Sequence, residues 1–140
     1  MYKGRILAID YGAKRVGLAI TDPLQMLAQP LDTIEPSSLI FFIKNYHKDN
    51  PLVKVIIGYP LHKDGSENPI TTKINKFIRN FEKVFPTIPI ERVDESYSSN
   101  EAASVLHQTR FKNWEKEKAT IDKVAAAIIL REYLDRIVKP

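Results

Sequence analysis

The sequence predicts an α/β domain with a mixed five-stranded sheet flanked by helices, and three observations carry that prediction. Two runs rich in Ile, Leu and Val, Arg5–Ile9 and Val16–Thr21, are separated by a short Gly-containing connection and read as a β-hairpin. A third apolar run, Val53–Gly58, is bounded by Pro51 and by Gly58-Tyr59-Pro60, as expected of a buried parallel strand. Between and after these runs, apolar residues recur at helical spacing, so strands in a hairpin group give way to β–α alternation.

Taken in order, the hairpin is followed by a predicted strand over Leu31–Ile34, after Pro30. The stretch "EPSSLIFFIKNYHKDN" suits a helix, with Ser37 as its cap and Leu39, Phe42, Ile43 and Tyr46 as the apolar stripe. Beyond the polar loop "HKDGSEN", Ile70, Ile74, Phe77, Ile78 and Phe81 mark a second helix. Pro86 and Pro89 then precede a strand over Ile90–Val93. "SSNEAASVLHQ" opens with Ser98 three residues before Glu101, the spacing of a capping box. A last helix is predicted over Thr120–Arg136, with an apolar face. Repeats, low-complexity tracts and linkers are absent, and 140 residues suit one domain, 1–140, able to bury a core without staples.

Composition removes several chemistries. The chain has no cysteine, which excludes disulfides, zinc–thiolate sites and thiol nucleophiles. His47, His62 and His107 fall on a predicted helix, a loop and another helix, and no two have metal-ligand spacing. A nucleophile elbow, a P-loop and a dinucleotide fingerprint are all missing. The longest strongly apolar run, Val124–Leu130, is too short for a bilayer, so no membrane partner is expected. The N-terminus enters the first strand without the apolar stretch of a signal peptide, and a cytoplasmic location is expected. The formal charge is +4, which inclines the reading toward an anionic partner. Trp114 sits in the charged stretch "FKNWEKEK"; a loop aromatic covering the core is the plainer expectation, a base-stacking platform the sharper one.

Three acidic positions stand out by placement. Asp10 closes the first strand, Asp94 and Glu95 close "IPIERV", and Asp122 lies in the first turn of the predicted final helix. Singly, each has a structural explanation: a turn-starting Asp, solvated loop acids, and a carboxylate complementing the helix dipole. Together they lie where α/β sheets hold ligands, outside the carboxyl ends of the strands. Gathered carboxylates repel unless a cation holds them, and oxygen donors suit Mg²⁺ or Mn²⁺. Lys14 and Arg15, just after Asp10, are then placed as phosphate contacts at the rim.

The same stretches form an ordered set. "LAIDYGAKRVGLAITD", "VIIGYPLHKDGSEN", "VDESYSSNEAASVL" and "IDKVAAAIILREYLD" resemble, in order and spacing, the four motifs of the YqgF/RuvX family. These bacterial proteins are described as Holliday junction resolvases and as nucleases maturing the 5′ end of pre-16S ribosomal RNA. The resemblance covers nearly the whole chain and implies an RNase H-like fold. It also implies a divalent-metal-dependent phosphodiester hydrolase using Mg²⁺ or Mn²⁺, with structured RNA or branched DNA as its partner.

Carried over by position, the acidic site is Asp10, the Asp94/Glu95 pair and Asp122, with Glu95 favoured over Asp94 as the direct ligand. Lys14 and Arg15 are implied to touch the substrate backbone. Gly58–Pro60 and Asp64–Ser66 shape the cleft, and Tyr97, Ser98 and Ser99 add polar contacts. One position departs: Ser96 stands where the family usually has Arg, removing a group able to pair with phosphate. A junction resolvase cuts symmetrically and implies a homodimer, whereas an RNA-end nuclease has no such requirement. Two rivals remain at this stage, an RNA- or ribosome-associated assembly factor without catalysis and an actin-like module binding nucleotide phosphates.

Overall fold

The computed structural model describes residues 3–60, 69–94 and 114–138, and no side chain at 114–117 or 138. Strands β1 (Arg5–Tyr11) and β2 (Val16–Thr21) form the predicted antiparallel hairpin, with Tyr11 opposite Val16 and Asp10 opposite Gly17. Both are covered on both faces, which is why their sequences are almost continuously apolar. The four-residue connection closes with the Gly12 N–H donating to the Arg15 carbonyl at 2.9 Å. A Cβ at Gly12 would stand 2.5 Å from that oxygen, so the tight loop needs a glycine there.

β3 (Ala28–Ile34) pairs antiparallel to β2 and begins three residues earlier than predicted. Pro30 had marked the strand's start, but β3 is an edge strand and tolerates a residue with no N–H. Its register slips between Leu18 and Ala19, and Ala19 pairs with Pro30. Helix α1 (Leu39–Asp49) follows a single 3₁₀ turn, Pro36–Ser38. Ser37 is not the cap expected of it. It lies inside the 3₁₀ turn, which is closed by the Ser38 N–H on the Glu35 carbonyl, and no side chain caps the helix. His47 accepts the Leu52 N–H through Nδ1 at 2.9 Å, tying the end of α1 to the next strand.

β4 (Leu52–Tyr59) runs parallel to β1, α2 (Pro69–Val84) crosses over, and β5 (Ile90–Asp94) runs parallel to β4. The sheet order is β3-β2-β1-β4-β5. The final helix, α3, spans Trp114–Val138 and starts six residues before the predicted Thr120. The "EKEK" run is made of good helix formers, so it continues the helix rather than forming a loop. Trp114 therefore opens a helix and is not a loop aromatic. Asp122, in turn, lies about two turns into α3. A carboxylate that deep lies beyond the reach of the helix dipole, which fades within the first turn. Its structural explanation is thereby lost.

Strand alternation sorts the core into two layers. Leu7, Ile9, Leu18, Val55 and Ile57 face α1 and α2, where Ile43, Ile74 and Phe81 are fully buried. Ile6, Ala8, Ala19, Ile56 and Val93 face α3, meeting Ala126, Ile129, Leu130 and Tyr133. Each large side chain removed from water contributes about 1.5–3 kcal/mol. The α3 layer is built from smaller residues, so this helix lies close on β2 and β1. Its far end is pinned where Lys54 Nζ donates to Glu91 at 2.8 Å and to the Tyr133 hydroxyl at 2.5 Å.

Candidate active site

β1 places the first acid by parity. Since Ile6 and Ala8 face α3 and Leu7 and Ile9 face the other side, Asp10 falls on the α3 face and Tyr11 on the α2 face. Tyr11 packs on Phe77, their ring centroids 5.8 Å apart, and burial raises its phenol above the ordinary range. Asp10 is half-buried at the carboxyl end of a central parallel strand.

The second acid comes from 112 residues away in sequence and is seated by a glycine. Gly17 is the cross-strand partner of Asp10 and shares its face. A Cβ built on Gly17 would fall inside the Asp122 carbonyl group and 2.9 Å from the Lys123 nitrogen. The backbone of α3 thus rests directly on β2 at the residue beside Asp10, and only glycine admits it. Gly17 was not singled out from the sequence. Its signal was present: a glycine within a strand pattern marks the close approach of another backbone.

Arg15 completes the placement. Its Nε donates to Asp122 Oδ2 at 2.7 Å, linking the hairpin loop to α3, and the two side chains are 40% and 23% exposed. An acid at the end of β1 faces a basic loop because that loop reaches across to hold the second acid. Lys14 is exposed at the loop's tip. Nearby, the Thr33 hydroxyl donates to the Ala119 carbonyl, a further tie between the sheet and the α3 turn that precedes Asp122.

Asp94 ends β5, level with Tyr59 on β4. It stands on the edge strand two strands from β1, about 10 Å away across the sheet. There it lines a shallow hollow with Glu132, Asp135 and Arg136 of α3. The main chain at Asp122 therefore lies on the strand neighbour of Asp10, and Asp94 stands two strands away from β1. Glu95, Ser98 and Ser99 lie outside the described residues, as do Ser96, Tyr97 and 64–66. Among the described residues no three His, Asp or Glu side chains gather tightly enough to hold an ion. The carboxylates of Asp10 and Asp122 are hard oxygen donors, the chemistry of Mg²⁺ and Mn²⁺ sites.

Comparison with known proteins bears on the family and the fold. The family model described as "RuvX: Holliday junction resolvase" matches residues 4–136. A protein of Chlorobium phaeobacteroides (strain BS1), named "Putative pre-16S rRNA nuclease", is 44% identical over 132 residues, covering 94% of this chain and 92% of its own. Among solved structures, Thermus thermophilus RuvC in complex with Holliday junction substrate superposes with a TM-score of 0.58 at 13% identity. The overlap covers 97% of this chain and 96% of that one. The yeast mitochondrial Holliday junction resolvase gives 0.52 at 13% identity, over 95% and 78%. At such identities the structural likeness speaks for the fold, here RNase H-like with the sheet order seen above. The sequence match spans the hairpin, both parallel strands and the acid-bearing helix, and the chain belongs to the RuvX family of Holliday junction resolvases, phosphodiester hydrolases.

Proposed function

We propose that this protein is a divalent-metal-dependent nuclease acting on structured nucleic acid, with the 5′ end of pre-16S rRNA as its substrate. The observation that carries the reading is the seating of the α3 main chain at Asp122 on Gly17, the cross-strand partner of Asp10 at the carboxyl end of β1. The rRNA assignment follows the name borne by the Chlorobium relative. Asp10 and Asp122 would hold Mg²⁺ or Mn²⁺, with Glu95, the residue that follows β5 in sequence, assigned as the third carboxylate by family position. When bound, such an ion polarises a phosphodiester and lowers the pKa of water. Arg15 orients the Asp122 carboxylate and, being partly exposed, presents its remaining N–H groups to an incoming phosphate. Lys14 at the loop tip adds a point charge toward the backbone, and Ser98 and Ser99 are assigned polar contacts to it by family position.

The test pairs wild type with Asp10→Asn, each given Mg²⁺ or Mn²⁺ and two labelled substrates, a structured ribosomal RNA leader and a four-way DNA junction. Cutting of the leader by wild type alone, faster than of the junction, is the expected result. Faster cutting of the junction would transfer the role to DNA resolution. RNA binding by both proteins without cleavage of either substrate would replace the nuclease with a non-catalytic assembly factor.

A further inference from the structure

The charge of this chain is concentrated on a helix that the acidic site does not use. α2 carries Lys73, Lys76, Arg79 and Lys83 against one carboxylate, Glu82, so it holds a net +3 of the formal +4. At about 100° per residue the four cations fall within an arc of about 120° and spread along about 15 Å of axis. All four are exposed, and none is in an ion pair with a described residue. Folding does not call for them. The inner face of α2 is already packed through Ile74, Phe77, Ile78 and Phe81, and an outer face needs only polarity. Like charges three and four residues apart oppose the helix, as at 73/76, 76/79 and 79/83.

These side chains, with Asn80, form one wall of an open groove of about 750 Å³ whose other wall is the turn into α1, at Pro36 and Ser37. Its lining includes Tyr11, the residue after Asp10. The strand parity that turns Asp10 toward α3 turns Tyr11 into this groove, so the two share one edge of the sheet. Four cations over 15 Å exceed what a single phosphate engages and match a repeating anion.

We infer that the α2 groove is a docking track for the phosphodiester backbone of the nucleic acid, which passes over the end of β1 at Tyr11 to reach Asp10 and Asp122. The identity of the polymer rests on the nuclease reading above; the track itself is carried by the charge and shape of α2.

The test uses the full-length protein with all four cations changed to Gln, and with Lys76→Gln/Lys83→Gln as a milder pair. Lys3→Gln/Lys48→Gln, at the opposite end of the sheet, controls for net charge. Binding to the labelled RNA leader and to the four-way junction is followed in EDTA across a salt series. The fourfold variant should bind at least about tenfold more weakly, and its log-affinity slope against log salt should fall by about 3, near 0.7–0.9 per lost phosphate contact. The probe whose slope changes more names the polymer. Unchanged affinity and slope would overturn the inference, as would an equal loss in the control pair, or wild type that binds polyglutamate but neither nucleic acid. Cleavage by wild type and Asp10→Asn is scored separately. Binding that depends on α2 without any cleavage removes the nuclease and leaves the track; cleavage with binding indifferent to α2 does the reverse.

Discussion

Gly17→Ala is the sharpest perturbation of the site, because it adds one methyl group and removes no functional side chain. The new Cβ would lie 2.9 Å from the Lys123 nitrogen and inside the van der Waals envelope of the Asp122 carbonyl. Both are main-chain atoms, so no side-chain rotation relieves the contact. Ala8 and Ala19 beneath the same helix leave it already close to the sheet. Overpacking of this kind costs about 1–3 kcal/mol. For a chain of this size that corresponds to a fall in Tm of roughly 4–12 °C. The functional effect should be larger. To relieve the clash α3 must lift by about 1 Å where it carries Asp122, and a misplacement of that size costs about 10²-fold in rate. The assay is cleavage of the RNA leader at a temperature where calorimetry shows both proteins folded, with Gly17→Ser as a second variant. Wild-type Tm together with wild-type cleavage in Gly17→Ala would refute the claim that backbone contact at Gly17 seats the second acid.

Arg15→Gln separates positioning from stability. A partly exposed ion pair contributes about 0–1 kcal/mol, so Tm should hold within about 4 °C, while cleavage should drop tenfold or more as Asp122 loses its fixed orientation. Equal cleavage by the two proteins would show that Asp122 needs no partner. Asp22→Asn probes acid stability. The Leu27 N–H, aided by those of Met26 and Leu24, holds the Asp22 carboxyl below its ordinary pKa of 3.8, against an opposing effect of desolvation that is second in size to the Leu27 bond. A depressed folded pKa gives stability that is fully present above the unfolded value and lost as pH falls through the folded one. Wild type should therefore unfold at higher urea than Asp22→Asn at pH 7, with the gap narrowing below about pH 4. A gap independent of pH would assign the loss to turn geometry rather than charge.

How much of this was legible in the sequence depended on range. The hairpin, β4 and α2 were readable because helical spacing is local and strands with two apolar faces show up as apolar runs bounded by Gly and Pro. Pro30 misled at β3 because nothing in the sequence marks that strand as the sheet's edge, where the missing N–H costs little. The start of α3 was missed because a polar run can be a loop or an exposed helical turn. Asp10 was found by its position at a strand end. Asp122 was found too, but for the wrong local reason, since it lies two turns inside α3. The Arg15–Asp122 pair spans 107 residues, and no local pattern encodes a contact of that range. Asp94 was read as one member of a pair at the end of "IPIERV", and its distance from Asp10 follows only from the strand order, which places β5 beyond β4.

The two acids of the site are secured by different physics, and this decides where it is fragile. Asp10 is held by parity: a one-residue slip of β1 would carry Leu7 and Ile9 out of one layer and Ile6 and Ala8 out of the other, so its facing is enforced by the whole core. Asp122 has no such guarantee. It depends on how closely one helix lies on β2, through the contact at Gly17, the small pair Ala19 and Ala126, and a single ion pair from the loop. Misplacing Asp10 requires unfolding the sheet, whereas misplacing Asp122 requires only that α3 lift. Substitutions that silence the site in a protein that still folds should therefore gather along the β2–α3 contact. Positions beneath α2, where large side chains fill the layer, should instead lose stability and activity together.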